Sequence, residues 1–204
     1  MKIKHYVKNL PHIHPANSIY FVTFRLEGSV PIIQLQKLNE NYELKKSQIQ
    51  NESLEIKNKV AHEYKAEKES LLEQIDDGPR YLKIPEIAKI VMSQLHLFDR
   101  VFYDLVCYCI MSNHVHVLFD TSIQTDLSRV SLDKILKKIK GPTAVKSNRF
   151  LGRSGKFWML ESYDHYIRND KELSNVYDYI LNNPVKANLV DDWRDWEYSY
   201  PKVG

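Results

Sequence analysis

The sequence predicts an α+β fold in which an antiparallel sheet carries helices on one face and a long helical excursion leaves the core. Short β-branched and aromatic runs alternate with helix-forming segments. Residues 32–76 contain neither Gly nor Pro, and Ser112-Asn113 joins two apolar runs as a tight turn, which makes that pair antiparallel. The 204 residues suffice for one domain over residues 1–204, with a helical insertion at about 32–97.

The first half of the chain supplies one strand and the insertion. Ile19 to Leu26 is rich in β-branched and aromatic residues, and Gly28 follows it, so a strand is predicted. Its Arg25 is either a working residue on the mixed face of the strand or a simple edge charge, and the interpretation as an edge charge is favoured. Residues 32–76 carry a narrow apolar stripe, typical of a helical hairpin or coiled-coil-like arm. Pro85 begins a further helix that runs to Leu97.

The second half begins with a predicted hairpin and continues with helices. The hairpin joins residues 101–110 to residues 114–120. A short basic helix opens at Ser131-Lys134, Gly141-Pro142 breaks it, and a second helical segment covers residues 143–150. Three further features are expected, in chain order: a strand at 156–167, a capped helix at 169–183 stopped by Pro184, and an aromatic tail at 193–200 that packs over the core.

Composition and charge indicate a soluble protein with a polyanionic partner. The sequence contains no apolar run of about 18 residues and no signal-peptide core, so neither a membrane span nor a membrane partner is expected. Two cysteines fit a reducing cytoplasm. Residues 129–156 hold nine basic residues and one acidic residue, although the whole chain is only +3. That asymmetry favours nucleic acid over a merely solvated helix face.

His114 and His116 form the candidate metal site. Residues two apart in a strand face the same way, so the two imidazoles lie side by side while Val115 and Val117 enter the core. Histidine-triad hydrolases need a third His where Leu118 stands, and two-histidine phosphodiesterases need paired H-x-[ST] motifs that are absent. Zinc hydrolysis fits poorly too, and a purely structural His pair remains an alternative.

The helix at 169–183 contributes two candidates to the same site. Tyr179 and Asn183 lie one turn apart at the edge of the apolar stripe. A phenol is a potential nucleophile, and an amide oxygen is a fair ligand for Mg²⁺ or Mn²⁺. Taken alone, Tyr179 is more often a boundary aromatic, and Asn183 a helix-terminal residue before proline.

Several motifs together resemble one known family. They are Tyr20–Leu26, Pro85–Ala88, Met111–Leu118, Phe157-Trp158 followed by Asp164-His165, and Asp178–Ala187. In this order and spacing they resemble the REP-associated tyrosine transposases, within the single-tyrosine HUH transposase superfamily. The resemblance runs nearly end to end and implies a ferredoxin-like, RRM-type sheet. Ser112 stands where family members often have Pro.

The resemblance implies an enzyme that nicks and rejoins single-stranded DNA at hairpin-forming repeats through a covalent 5′-phosphotyrosine. It implies Tyr179 as nucleophile, with His114, His116 and Asn183 as ligands of Mg²⁺ or Mn²⁺. Glu161, Asp164 and His165 also match family positions as supporting residues of unassigned role. The basic window and a nearby aromatic ring are expected to bind DNA, through Lys134, Lys137, Lys138, Lys146, Arg149, Arg153, Lys156 and Trp158.

The expected setting is the bacterial cytoplasm, in association with the nucleoid, as a monomer or a homodimer. The alternative function is a domesticated DNA- or RNA-binding module that no longer cuts. The presence of all four site residues argues against that alternative.

Overall fold

A five-stranded antiparallel sheet organises the chain. The computed structural model describes residues 17–29, 32–73, 78–124 and 130–202. The sheet has the order β4-β1-β3-β2-β5, and every neighbouring pair is antiparallel. Its strands are β1 (Ile19–Arg25), β2 (Asp104–Ile110), β3 (His114–Asp120), β4 (Tyr163–Tyr166) and β5 (Ser199–Pro201).

The order of strands and helices confirms the ferredoxin-like α+β prediction. The helices are α1 (Ile32–Gln48), α2 (Leu54–Glu73), α3 (Pro85–Leu97), α4 (Leu132–Phe150), α5 (Asp170–Leu181) and α6 (Asn183–Lys186). The helix α3 links β1 to β2, and α4 links β3 to β4, while β1 and β3 occupy the middle of the sheet. This is the split βαβ arrangement. Within the described residues, no helix has the length and apolar character needed to cross a bilayer.

Helices cover both faces of the sheet, where the sequence predicted helices on one. The main core lies between the sheet and α3 and α4, and contains Val22, Phe24, Val115 and Val117, each fully buried. A second apolar cluster lies on the opposite face, where Phe21 and Leu118 meet Ile180 of α5. Alternate residues of β1 and β3 therefore supply both cores, and α5 lies on the face that carries the two histidines.

The helix α4 is continuous, so the predicted break at Gly141-Pro142 is wrong. Proline at position 142 lacks the N–H that would bond to the Lys138 carbonyl. Gln94 of α3 supplies the missing donor, with its side-chain nitrogen 3.0 Å from the Lys138 oxygen. The hydroxyl of Thr143, the residue after the proline, donates to the Ile139 carbonyl at 2.8 Å. Tertiary packing thus satisfies the carbonyl that the proline leaves open.

Three other boundaries differ from expectation. The strand predicted at 156–167 is confined to β4, with one isolated bridge between Leu26 and Trp158. The tail does more than pack over the core, because β5 pairs with β2 and extends the sheet. The predicted strand at 101–110 begins at Asp104.

The chain divides into two compact units. Gly28–Gly78 belong to one unit, and Pro79–Gly204 with β1 form the other. In the first unit α1 and α2 form the predicted pair of helices, held by a small cluster in which the Tyr42 and Tyr64 rings stack at 4.1 Å. The predicted insertion at 32–97 thus spans α1 and α2 in one unit and α3 in the other, and the prediction of a single domain stays a prediction.

Candidate functional site

The two histidines lie on β3 as the sequence pattern predicts. His114 is 6% exposed and His116 is fully buried. Both point to the α5 face of the sheet, since Val115 and Val117 fill the opposite core. In the register with β1, His114 lies opposite Arg25 and His116 lies opposite Thr23. The strand pairing therefore fixes the positions of the imidazoles.

The two rings present their Nε2 atoms to each other. These atoms are 3.0 Å apart, and the ring planes cross at 78°. The Nδ1 atoms point away and are held by oxygens. The Nδ1 of His114 is 2.6 Å from Asn113 Oδ1, and the Nδ1 of His116 is 2.9 Å from Thr23 Oγ1. The orientation of each ring is thus fixed from the side opposite its Nε2.

Both imidazoles are neutral near neutral pH. Burial first, and then the charge of Arg25, hold the pKa of His114 well below its usual range. Burial and the charges of Arg25 and Lys186 lower the pKa of His116 to about 3. A neutral imidazole keeps one nitrogen lone pair, which is the form that binds a metal ion.

Arg25 belongs to this site, and its interpretation as an edge charge is wrong. It is 4% exposed, because β1 lies between β3 and β4 inside the sheet. It faces the same side as Thr23, and its positive charge acts on both histidines. The sequence signal was available, since Phe21, Thr23 and Arg25 alternate with the apolar core residues of the same strand.

Tyr179 reaches the histidines from α5. Its ring centroid lies 5.4 Å from that of His116 and 5.8 Å from that of Phe21. Its hydroxyl is buried and has no hydrogen-bond partner among the described residues. The Nζ atom of Lys186 lies 4.6 Å from the centre of the Tyr179 ring. Burying an unpaired hydroxyl lowers the free energy of unfolding by about 1–3 kcal/mol. Such unpaired groups are typical of functional positions.

Asn183 is the first residue of α6, so the prediction that the tyrosine helix extends to it is wrong. The helix α5 ends at Leu181, and Asn182 closes it by donating its side-chain amide to the Asp178 carbonyl at 2.8 Å. Pro184 is then accommodated in the first turn of α6, where its missing N–H has no cost. Asn183 itself is buried, with 7% exposed.

The histidine pair fits two adjacent positions in the coordination shell of a divalent cation. With metal–nitrogen bonds of about 2.1 Å, two ligands at a right angle are about 3.0 Å apart, which agrees with the 3.0 Å between the Nε2 atoms. In the part of the chain that the structure describes, no three His, Cys, Asp or Glu side chains cluster as a metal site. A third protein ligand from that part would therefore be of another type, such as an amide oxygen.

The three supporting candidates have different placements. The Nε2 of His165 is 2.7 Å from Glu172 Oε1, and Glu172 also accepts from the Arg168 N–H at 2.8 Å. This links β4 to the first turn of α5. Asp164 pairs with Val22 and so faces away from the histidines. Glu161 lies in the loop before β4, where its charge acts on Lys140.

Most of the predicted basic residues are exposed along α4 and the loop after it. Six have exposed side chains: Lys134, Lys137, Lys138, Lys146, Arg149 and Lys156. Arg153 is half-buried, stacks on the Tyr81 ring at 4.9 Å and donates to the Lys156 carbonyl. Arg129 lies outside the described residues.

Trp158 is a core residue, so the predicted base-stacking role is not supported. It is 6% exposed, packs against Phe24 and donates its indole N–H to Thr143 at 2.9 Å. Sequence reasoning missed Phe150, which is 53% exposed beside Arg149 at the end of α4. A large aromatic residue in the last turn of a basic helix was the available signal.

Two comparisons place the chain among known proteins. It is 30% identical over 102 residues to a Haemophilus influenzae protein named as a REP-associated tyrosine transposase. The match covers 48% of this chain, and the chain spans 58% of that relative's length. No protein-family model matches the chain.

The fold matches a solved structure described as a REP-associated tyrosine transposase bound to a REP hairpin. The TM-score is 0.55 at 14% identity, over 95% of this chain and 82% of the other. At this identity the likeness concerns the fold. The sequence match and the fold match agree in what they make this chain similar to, namely proteins described as REP-associated tyrosine transposases.

Proposed function

We propose that the protein nicks and rejoins single-stranded DNA at hairpin-forming sequences. One observation carries this proposal. A tyrosine hydroxyl is buried without a hydrogen-bond partner among the described residues, on a ring 5.4 Å from an imidazole pair whose Nε2 atoms face each other. The names of the relative and of the solved structure supply the substrate class, since the latter is bound to a REP hairpin.

The residues around Tyr179 suit a phosphate substrate. His114, His116 and the side-chain oxygen of Asn183 would hold Mg²⁺ or Mn²⁺, which when bound polarises a phosphodiester. Arg25 is buried on the same face and places a fixed positive charge beside the histidines. Lys186 adds a second charge 4.6 Å from the centre of the Tyr179 ring. Both charges stabilise the negative charge that develops on the phosphoryl group.

The proposed reaction is a transesterification. The Tyr179 oxygen attacks phosphorus and loses its proton, a new P–O bond forms, and the P–O3′ bond breaks. The product is a 5′-phosphotyrosine and a free 3′-hydroxyl, which takes up a proton. Attack by the same or another 3′-hydroxyl reverses the step, so joining needs no external energy source.

The exposed face of α4 is the proposed DNA-binding surface. The buried residues of this helix face the core, and all of its lysines except Lys140 are exposed. Lys134, Lys137 and Lys146 would contact phosphates, together with Arg149 and Lys156. Phe150 replaces Trp158 as the proposed stacking residue, because its ring is accessible. The solved relative binds a hairpin, and we propose the same partner here, in the bacterial cytoplasm at the nucleoid.

The decisive experiment is cleavage of 5′-labelled and 3′-labelled hairpin oligonucleotides taken from the repeats that flank the gene. Wild-type protein with Mn²⁺ is expected to give a covalent adduct on the 5′-phosphate side. Tyr179→Phe is expected to give none and to bind the hairpin as tightly as wild type. Tyr177→Phe, on the same helix, is the matched control and should keep the adduct.

Two results would count against the proposal. Hairpin binding without any wild-type adduct, unchanged in His114→Ala, would favour the non-cutting DNA- or RNA-binding module. An adduct that persists in Tyr179→Phe would assign the nucleophile elsewhere. Mixing Tyr179→Phe with His116→Ala tests the assembly, since restored cleavage requires a homodimer with composite sites.

The proposed surface makes a separate prediction. Phe150→Ala should weaken hairpin binding by about 1–3 kcal/mol if one base stacks on the ring. Lys137→Gln should weaken binding less and should reduce the slope of log affinity against log salt by about 1. Fluorescence anisotropy at several salt concentrations measures both. If Phe150→Ala and Lys137→Gln reduced the salt slope equally, the assignment of base stacking to Phe150 and of phosphate contact to Lys137 would be contradicted.

A further inference from the structure

The two histidines are held by oxygens of different hydrogen-bonding character. The carbonyl oxygen of the Asn113 side chain lies 2.6 Å from Nδ1 of His114, and the Thr23 hydroxyl lies 2.9 Å from Nδ1 of His116. An amide oxygen only accepts hydrogen bonds, whereas a hydroxyl donates or accepts. The shells around the two rings therefore impose different constraints on where each imidazole carries its proton.

Asn113 allows His114 only one neutral form. Because Oδ1 accepts, Nδ1 of His114 must carry the hydrogen, and its Nε2 carries a lone pair. That lone pair points at Nε2 of His116, 3.0 Å away. Two lone pairs at this distance repel each other, so without a cation the Nε2 of His116 must carry the hydrogen and donate it to His114.

Thr23 makes that arrangement reversible. When Nε2 of His116 carries the hydrogen, Nδ1 of His116 accepts from the Thr23 hydroxyl. When Nε2 must instead offer a lone pair, Nδ1 carries the hydrogen and the same hydroxyl turns to accept it. Thr23 is 2% exposed, so no solvent group competes for this role.

We propose that Thr23 is a positioning residue that lets His116 exchange tautomers when a divalent cation binds, whereas Asn113 keeps His114 in the binding form throughout. The exchange moves one proton from Nε2 to Nδ1 of the same ring and leaves the imidazole neutral. A hydroxyl opposite one histidine and an amide oxygen beside the other are both needed. The inference rests on the proposed metal-binding role of the histidine pair.

The test is ¹⁵N-detected NMR of the imidazole nitrogens in the full chain, without metal and then titrated with Mg²⁺. Without metal, His114 is expected as the Nδ1–H form and His116 as the Nε2–H form. With saturating Mg²⁺, both are expected as Nδ1–H, with His114 unchanged. Assignments come from His114→Gln and His116→Gln.

Variants of Thr23 test its part. Thr23→Val keeps the shape and removes the hydroxyl, so it should weaken Mn²⁺ binding about 10-fold or more, measured by titration calorimetry. Thr23→Ser should restore the wild-type affinity and the tautomer exchange. Rescue by serine separates the hydroxyl's role from packing, even if the valine variant is less stable.

Several outcomes would overturn the inference. They are His116 in the Nδ1–H form before metal is added, His114 in the Nε2–H form, no Mg²⁺-dependent change at His116, or Mn²⁺ affinity unaffected by Thr23→Val. None of these readouts requires DNA cleavage. Absence of a Tyr179 adduct in the wild type would therefore disprove the proposed nuclease chemistry but not the tautomer exchange. Absence of the tautomer exchange would likewise leave the proposed nuclease chemistry unaffected.

Discussion

The two faces of the sheet bury polar side chains for different ends. On the face covered by α3 and α4, Gln94 donates to the Lys138 carbonyl and Trp158 donates to Thr143. These bonds compensate for an irregularity of the backbone or fix a core ring. On the α5 face, His114 and His116 contact each other, and the Tyr179 hydroxyl has no partner among the described residues.

The difference separates stability from function within the same strands. On the first face, the Gln94 amide and the Trp158 indole complete hydrogen bonds that folding would otherwise lose, so these two groups stabilise the protein. On the second face, the buried Tyr179 hydroxyl has no hydrogen-bond partner among the described residues. Such a group lowers stability and is a common feature of binding and catalytic sites. Substitutions on the first face should therefore lower the free energy of unfolding and spare cleavage, whereas substitutions of Tyr179 should abolish cleavage without lowering the free energy of unfolding.

The largest expected contrast is between Tyr179→Phe and Val117→Ala. Tyr179→Phe should reduce adduct formation by about 10⁴-fold or more and should raise the free energy of unfolding by about 1 kcal/mol, because it removes an unpaired buried hydroxyl. Val117→Ala, on the opposite face of β3, should lower the free energy of unfolding by about 2 kcal/mol and leave cleavage within about 3-fold.

Urea denaturation and a single-turnover cleavage assay measure the two quantities. Tyr163→Phe is a suitable control, since this ring packs near Phe21 on the same face. A clear loss of stability in Tyr179→Phe would show that the hydroxyl is satisfied in solution, and the comparison of the two faces would fail.

The next largest effect is the pH dependence that the histidines impose. Both pKa values lie below the ordinary value in the folded state, so the unfolded chain binds more protons once the pH falls below about 6.5. Stability is therefore lost as the pH falls, by up to about 1.4 kcal/mol per pH unit for each histidine. For His116 the window extends down to a folded pKa of about 3.

Unfolding free energies between pH 5 and pH 7 check this slope. The double variant His114→Gln, His116→Gln should lose the part due to these residues, whereas His62→Gln, an exposed residue of α2, should retain it. If the slope of unfolding free energy against pH were unchanged in the double variant, groups other than these histidines would cause the acid sensitivity. The two faces of the sheet would then differ less in pH dependence than the structure indicates.

Much of the fold was predictable because its signals are local and periodic. The alternation in Ile19–Leu26 and His114–Asp120 fixes which residues face each core, and it places both histidines on one face. The Asn169 cap was predictable as well, and its side chain accepts from the Glu172 N–H at 2.9 Å. The candidate site followed from the resemblance to the transposase family, because spacing alone favoured a boundary aromatic for Tyr179 and a helix-terminal residue for Asn183.

The predictions were wrong where contacts with residues distant in the sequence determine the local structure. Arg25 was misjudged because the alternation along β1 shows which face the residue is on, but not that β1 is an interior strand of the sheet. Trp158 was misjudged because its neighbours Phe24 and Thr143 lie far from it in sequence. The break at Gly141-Pro142 was wrong because the compensating donor is on another helix.

That donor supports the smallest and most specific prediction. Gln94→Leu should cost about 1 kcal/mol, since it leaves the partly buried Lys138 carbonyl without this donor. In a Pro142→Ala background the same substitution should cost clearly less, because the N–H of residue 142 can then bond to that carbonyl. A double-mutant cycle by urea denaturation measures the difference, and cleavage should remain near wild type in all three variants. Additive costs would mean that Gln94 does not compensate for the proline. The polar groups of this face would then contribute no more to backbone hydrogen bonding than those around the histidines.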